Sequence, residues 1–90
     1  MRTIKELLQV MLDNKGEFEC GLCNWVTKIF HKGKIDIDEY DLLTCYIEEN
    51  RPSKWSSLSA YLSRNSCYYW KKGDIKPRLK WIKKHIKKQV

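Results

Sequence analysis

The sequence predicts a small all-α domain of about four helices with an irregular serine-rich segment. Apolar residues recur at three- and four-residue spacings in several separate stretches, as the buried side of a helix requires. Capping residues precede these stretches and glycine or proline follows them. The chain has 90 residues, the size of one domain, so we expect residues 1–90 to form a single helical domain.

The first two helices are predicted over residues 4–13 and from Phe18 to His31 or Lys32. Thr3 and Glu6 have the spacing of a capping box, and Gly16 is expected to take a left-handed turn. The expected stripe of the second helix is Leu22, Val26, Ile29 and Phe30, with Cys23 and Trp25 on its flanks. Gly21 would lie inside that helix at a cost of about 1 kcal/mol, which suggests close packing or, alternatively, a closely approaching ligand.

The third helix is predicted to begin after Asp36, with Glu39 as the capping-box partner, and to end at Asn50 before Arg51 and Pro52. Its expected core residues are Leu42, Leu43, Tyr46 and Ile47. The acidic residues of this segment are Asp36, Asp38, Glu39, Asp41, Glu48 and Glu49. A short helix is predicted within residues 53–66, followed by an extended segment at 67–70 and a turn at 71–74.

The last helix is predicted to begin near Pro77, since proline suits the first helical turn. Its expected buried face is Leu79, Ile82 and Ile86. The opposite face carries six lysines: Lys76, Lys80, Lys83, Lys84, Lys87 and Lys88. Arg78 falls outside that basic face, on a narrow edge with Trp81 and His85, and must therefore be semi-buried or point along a groove.

The net charge of +7 comes from the end of the chain, because half of the eighteen basic residues, and one acidic residue, follow residue 70. Anionic partners are therefore favoured. No membrane span or secretory leader is predicted, so we expect a soluble protein with reduced cysteines. Cys20 and Cys23 resemble half a zinc site, but His31, Cys45 and Cys67 fit no common spacing. We predict no metal, no cofactor and, for want of a nucleophile–base pair, no enzyme activity.

The preferred binding hypothesis is a pocket for a small anionic, nucleotide-like ligand beside the last helix. Arginine and lysine would hold phosphate, while aromatic rings stack on a base for roughly 1–3 kcal/mol each. The candidate residues are Tyr69, Trp70, Lys71, Lys72, Arg78, Trp81 and His85. The alternative is an aromatic core with an arginine–carboxylate pair.

The lysine-rich side of the last helix supports a second hypothesis, nonspecific binding of nucleic acid by Lys80, Lys83, Lys84, Lys87 and Lys88. The same lysines could instead be solvated surface, lie on a membrane surface, or meet the acidic third helix within the fold or across a subunit contact. A third hypothesis is inhibition of another protein by direct docking of the charged helices. The small core also favours a homodimer or higher oligomer, because shared burial adds stability.

Four stretches of the sequence resemble small bacteriophage proteins of unassigned function. They are G-L-C at 21–23, I-D-I-D-E-Y at 35–40, Y-I-E-E-N-R-P at 46–52, and the tail Y-W-K-K-G-D-I-K-P-R-L-K-W-I-K-K-H-I at 69–86. The resemblance implies a phage accessory protein in the cytoplasm of a bacterial host, in which case the protein inhibited by docking would be a host factor. It also implies, by association, a role against host defence through sequestration of a nucleotide signal.

Overall fold

The computed structural model is all-α over the residues that it describes, which are 1–18, 21–50, 52 and 75–89. They form four α-helices: α1 (Ile4–Asp13), α2 (Leu22–His31), α3 (Ile37–Asn50) and α4 (Ile75–Lys88), with a short 3₁₀ helix (Lys15–Glu17) after α1. The predicted all-α class is confirmed. The predictions for residues 53–74, including the serine-rich helix, lie outside the described residues.

The N-terminal helix α1 has the predicted bounds and cap. Glu6 N–H donates to Thr3 Oγ1 at 3.2 Å, and Thr3 N–H donates to Glu6 Oε1 at 3.0 Å, so both halves of the capping box form. The left-handed turn predicted at Gly16 does not form, because the chain continues into the 3₁₀ helix. Among the described residues, the glycine with positive φ is Gly33.

Helix α2 begins four residues later than predicted. Gly21 is its N-cap, in an extended conformation (φ 176°), and its carbonyl accepts the Trp25 N–H. A Cβ atom added at Gly21 would meet no atom of the described residues within 4 Å, so the close packing predicted for this glycine does not occur against that part of the chain. The apolar spacing alone could not place the start, because Phe18 also contacts the core from outside the helix.

The turn between α2 and α3 follows the sequence signals closely. Gly33 adopts φ 74°, its N–H donates to Phe30 O, and Lys34 N–H donates to Ile29 O. These two bonds form a Schellman motif, which satisfies carbonyls at the end of a helix and favours glycine at the left-handed position. The turn lets α2 and α3 pack against each other.

One hydrophobic core joins the four helices, and α1 packs against each of the other three. Among the described residues, its fully buried side chains are Leu7, Leu8, Met11, Trp25, Val26, Ile29, Leu43, Ile47 and Ile82. Trp25 was predicted on a flank but is completely buried: its indole N–H donates to Asn14 O at 2.9 Å, and its ring meets Phe18 edge-on. Leu42, predicted in the core, is 36% exposed on the outer side of α3.

Candidate functional site

The helix that carries the predicted binding residues, α4, begins at Ile75, so Pro77 lies within the first turn rather than at its start. Proline is tolerated there because the first N–H groups of a helix have no intrahelical partner. The buried side is rotated from the one predicted. Ile82 is fully buried, but Leu79 and Ile86 are only partly buried, and Arg78, Trp81 and His85 are just 5–6% exposed.

These last three residues, which we call the aromatic edge (Arg78, Trp81 and His85), lie side by side within the fold. The Trp81 and His85 rings are stacked at 4.1 Å between centroids, with a 27° angle between their planes. The Trp81 indole N–H donates to Asn50 O at the end of α3, at 3.3 Å. Arg78 also takes part in a polar, charged or ring interaction. The edge therefore joins α4 to the C-terminal end of α3.

A hydrogen-bond chain connects the aromatic edge to Tyr46 on α3. Gln89 Nε2 donates to Tyr46 Oη at 2.9 Å, and Tyr46 Oη lies 2.7 Å from His85 Nδ1. When the Tyr46 hydroxyl, which accepts from the amide, donates its one proton to Nδ1, His85 is neutral with its own proton on Nε2. Burial, followed by the nearby charges of Lys88 and Lys84, lowers the pKa of His85 and so favours its neutral form.

Protonation of His85 is expected to weaken the fold in mild acid. The pKa of His85 is depressed in the folded state. The contribution of the neutral His85 to stability is therefore fully present above the ordinary pKa near 6.5 and declines as the pH falls below that value. We expect His85→Phe, which keeps a ring beside Trp81 but cannot titrate, to flatten the pH dependence of urea unfolding between about pH 7.5 and 5.5. His31→Phe is the control, since His31 is exposed on α2; an unchanged profile for His85→Phe would contradict the assignment.

Three of the seven residues of the predicted ligand pocket are therefore brought together. The other four, Tyr69, Trp70, Lys71 and Lys72, lie outside the described residues. The three that the structure describes are nearly buried in the fold, and the Trp81 ring already has His85 as a stacking partner.

The lysine face (Lys80, Lys83, Lys84, Lys87 and Lys88) has the opposite character. All five side chains are exposed, and together they line an open depression of about 490 Å³. Lys76 is exposed as well. The predicted grouping of lysines on one exposed side of the helix is present.

No acidic side chain of the described residues forms an ion pair with the lysine face. The ion pair found within 1–18, 21–50, 52 and 75–89 joins Arg2 Nε to Glu39 Oε2 at 2.9 Å. The interpretation in which α3 neutralises these lysines inside the same fold is thus not realised in that part of the chain. The lysine face presents its positive charge to the surroundings.

Two polar contacts were missed by sequence reasoning. Arg2 contacts Glu39 through its backbone N–H, Nε and Nη2, and its Nη2 also donates to Lys34 O at 2.7 Å. The bond between Tyr46 and His85 was the second. The partners are 37 and 39 residues apart, so local spacing carries no signal for either. The sequence held one signal for Glu39: residues 37–50 contain no lysine or arginine, so a cation that pairs with it must come from another part of the chain.

Other classes of site find little support in the described residues. No group of three histidine, cysteine or acidic side chains there could hold a metal ion. Cys23 contacts Glu48 at 3.6 Å, and Cys20 is not described. Every helix in that part of the chain is too short or too polar to cross a membrane. Comparisons with protein-family models, curated proteins and solved structures find no match to this chain.

Proposed function

We propose that the protein binds nucleic acid without sequence preference, by contacting backbone phosphates with the lysine face. The observation that carries this proposal is the set of five exposed lysines around one depression. None of these lysines forms an ion pair with another described residue. Phosphate contacts provide most of the affinity of such binding, because each neutralised phosphate releases a condensed counterion.

The kind of side chain supports a nonspecific mode. Lysine is a flexible point charge and lacks the planar fork with which arginine reads guanine. Arg78, the arginine of α4, lies on the buried side, and the Gln89 side chain already donates to Tyr46. The lysine face therefore offers contacts that position the protein on the phosphate backbone of a nucleic acid, and not contacts that read base edges.

The other side of α4 argues against insertion into a membrane surface. An interfacial helix needs a free apolar face to enter the lipid. In this protein Ile82 is fully buried, Trp81 is nearly so, and the partly buried Leu79 and Ile86 pack on the same core. The apolar side of α4 is thus already used for folding, which leaves electrostatic attraction as the binding force.

Fluorescence anisotropy with a labelled duplex of about 20 base pairs, titrated from about 50 to 200 mM salt, tests the proposal. The variant combines Lys80→Gln, Lys83→Gln and Lys87→Gln. We expect it to bind at least tenfold more weakly at low salt and to reduce the slope of log K against log salt by about 2 to 3, since each lost phosphate contact removes about 0.9.

The matched control removes three exposed lysines elsewhere, by Lys5→Gln, Lys15→Gln and Lys32→Gln, and changes the net charge equally. It should retain most of the affinity. Equal losses in the two variants would mean that only net charge matters, and salt-independent or undetectable binding would contradict the proposal.

A second proposal is sequestration of a small phosphorylated ligand, such as a defence nucleotide, by a phage accessory protein. It is supported by the contiguous placement of Arg78, Trp81 and His85 on α4. Isothermal titration against cyclic and linear nucleotides tests it: binding that survives the triple lysine variant but is lost in Arg78→Gln, with the helical circular dichroism spectrum unchanged, would favour this function. Absence of heat at micromolar protein would exclude it.

A further inference from the structure

The outer side of α3 is a second charged surface, of opposite sign to the lysine face. From this pairing we infer that the outer side of α3 docks the lysine face of a second copy of this chain. We call the α3 surface the acidic stripe; its residues are Asp38, Asp41, Leu42, Cys45 and Glu49. Their spacing of three, four, seven and eleven residues places them on one side of a helix with about 100° per residue. All five are exposed, while Leu43 and Ile47 on the other side are fully buried.

The acidic stripe has no basic partner on its own helix, since the sequence from Ile37 to Asn50 contains no lysine or arginine. Arg2 pairs instead with Glu39, which is buried on the inner side of α3. Among the described residues, no base forms an ion pair with Asp38, Asp41 or Glu49. The stripe therefore keeps a negative potential that a cationic surface can neutralise.

Apolar surface accompanies these charges. Ile37 is 54% exposed and Leu42 is 36% exposed, and apart from Met1 they are the exposed large hydrophobic residues of the described part of the chain. Lysine side chains have long aliphatic stems that cover apolar surface while the ammonium group stays in water. A row of lysines is consequently a fitting partner for acids interspersed with leucine and isoleucine.

The two surfaces also agree in length. At 1.5 Å per residue, the acidic stripe from Asp38 to Glu49 extends over about 16 Å; the lysine face extends over about 12 Å, or about 18 Å together with the exposed Lys76 one turn before it. Within one molecule both surfaces face outward from the shared core, so neither can cover the other. Between two molecules, the lysine face of one can lie along the acidic stripe of the next.

Such a contact is heterologous, because each copy contributes a different surface. An open assembly of this kind always keeps one unoccupied acidic stripe at one end and one unoccupied lysine face at the other, so the average mass should grow with concentration. Nucleic acid and a second copy would compete for the lysine face. The inference does not depend on nucleic-acid binding, and its test contains no nucleic acid.

Sedimentation velocity over about 10 to 500 μM protein measures the association. We expect the weight-average mass to rise above the 10.8 kDa of the monomer in about 20 mM salt and to return to it in about 0.5 M salt, where screening is strong. The double change Asp41→Asn and Glu49→Gln should weaken the association roughly three- to tenfold. The control Asp13→Asn and Glu17→Gln removes the same charge elsewhere and should leave it unchanged.

Cross-linking tests the geometry, with native Cys45 at the middle of the acidic stripe as the probe. In Lys84→Cys, oxidation should produce an intermolecular disulfide to Cys45, identified by mass spectrometry of the non-reduced digest; Lys5→Cys, on α1, should not yield it. A monomeric mass at every concentration would overturn the inference. So would association of undiminished strength in the acidic double variant, or equal cross-linking of Cys45 by the two introduced cysteines.

Discussion

Replacement of Trp25 by alanine is expected to lower the free energy of unfolding by about 3–5 kcal/mol, the usual cost of removing a buried aromatic ring. Trp25 is fully buried in the core, meets Phe18 at 5.4 Å between ring centroids, and donates to Asn14 O. A domain of this size has a total stability of only about 5–13 kcal/mol. Trp25→Ala should therefore be largely unfolded or melt far below the wild type.

Urea denaturation followed by far-ultraviolet circular dichroism measures this loss. Trp25→Phe keeps part of the ring but loses the indole donor, so an intermediate loss is expected. Asn24→Ala, at the neighbouring exposed position, is the control and should stay within about 0.5 kcal/mol of the wild type. A loss below about 1 kcal/mol for Trp25→Ala would show that this ring is not central to the core.

Replacement of Glu39 by glutamine is expected to cost on the order of 2 kcal/mol at neutral pH. The Glu39 carboxylate accepts bonds from Arg2 and from the Asp36 N–H, and its side chain is 5% exposed. Partial exposure of Arg2 places the pair between a surface ion pair, which contributes little, and a buried one, whose disruption costs about 3–5 kcal/mol. A glutamine would lose the charge-assisted hydrogen bonds, and its amide N–H group would face the N–H donors of Arg2 or Asp36.

The pH dependence should identify this carboxylate. Hydrogen bonds from the Arg2 side chain, followed by that from the Asp36 N–H, lower the pKa of Glu39 to about 2. Its stabilising contribution is thus present above the ordinary value of 4.5 and is lost as the pH falls from there towards 2. The difference in unfolding free energy between wild type and Glu39→Gln should shrink over that range. Glu49→Gln, an exposed change on the same helix, should show little difference at either end.

The features that the sequence determined by itself are local ones. The capping boxes of Thr3 with Glu6 and of Asp36 with Glu39 form as predicted, because each joins residues only three positions apart. Gly33 adopts the left-handed conformation that the end of α2 requires. The exposed lysines of α4 were also predictable, since charged side chains that recur at helical spacing stay in water.

Packing between helices decided the remaining features. The spacing of apolar residues on α4 predicted a buried face that includes Leu79 and Ile86. In the fold, contact with α3 buries Trp81 and His85 more completely than either of them. Those rings bring a large apolar area and polar atoms that Tyr46 and Asn50 can satisfy. The spacing of Phe18 predicted that α2 would begin there, but the Phe18 ring packs on Trp25 from outside the helix. Partners such as Arg2 and Glu39, 37 residues apart, meet only once the core has formed. Sequence spacing describes one helix at a time, and the free energy that selects a buried side depends on the surface that the other helices present.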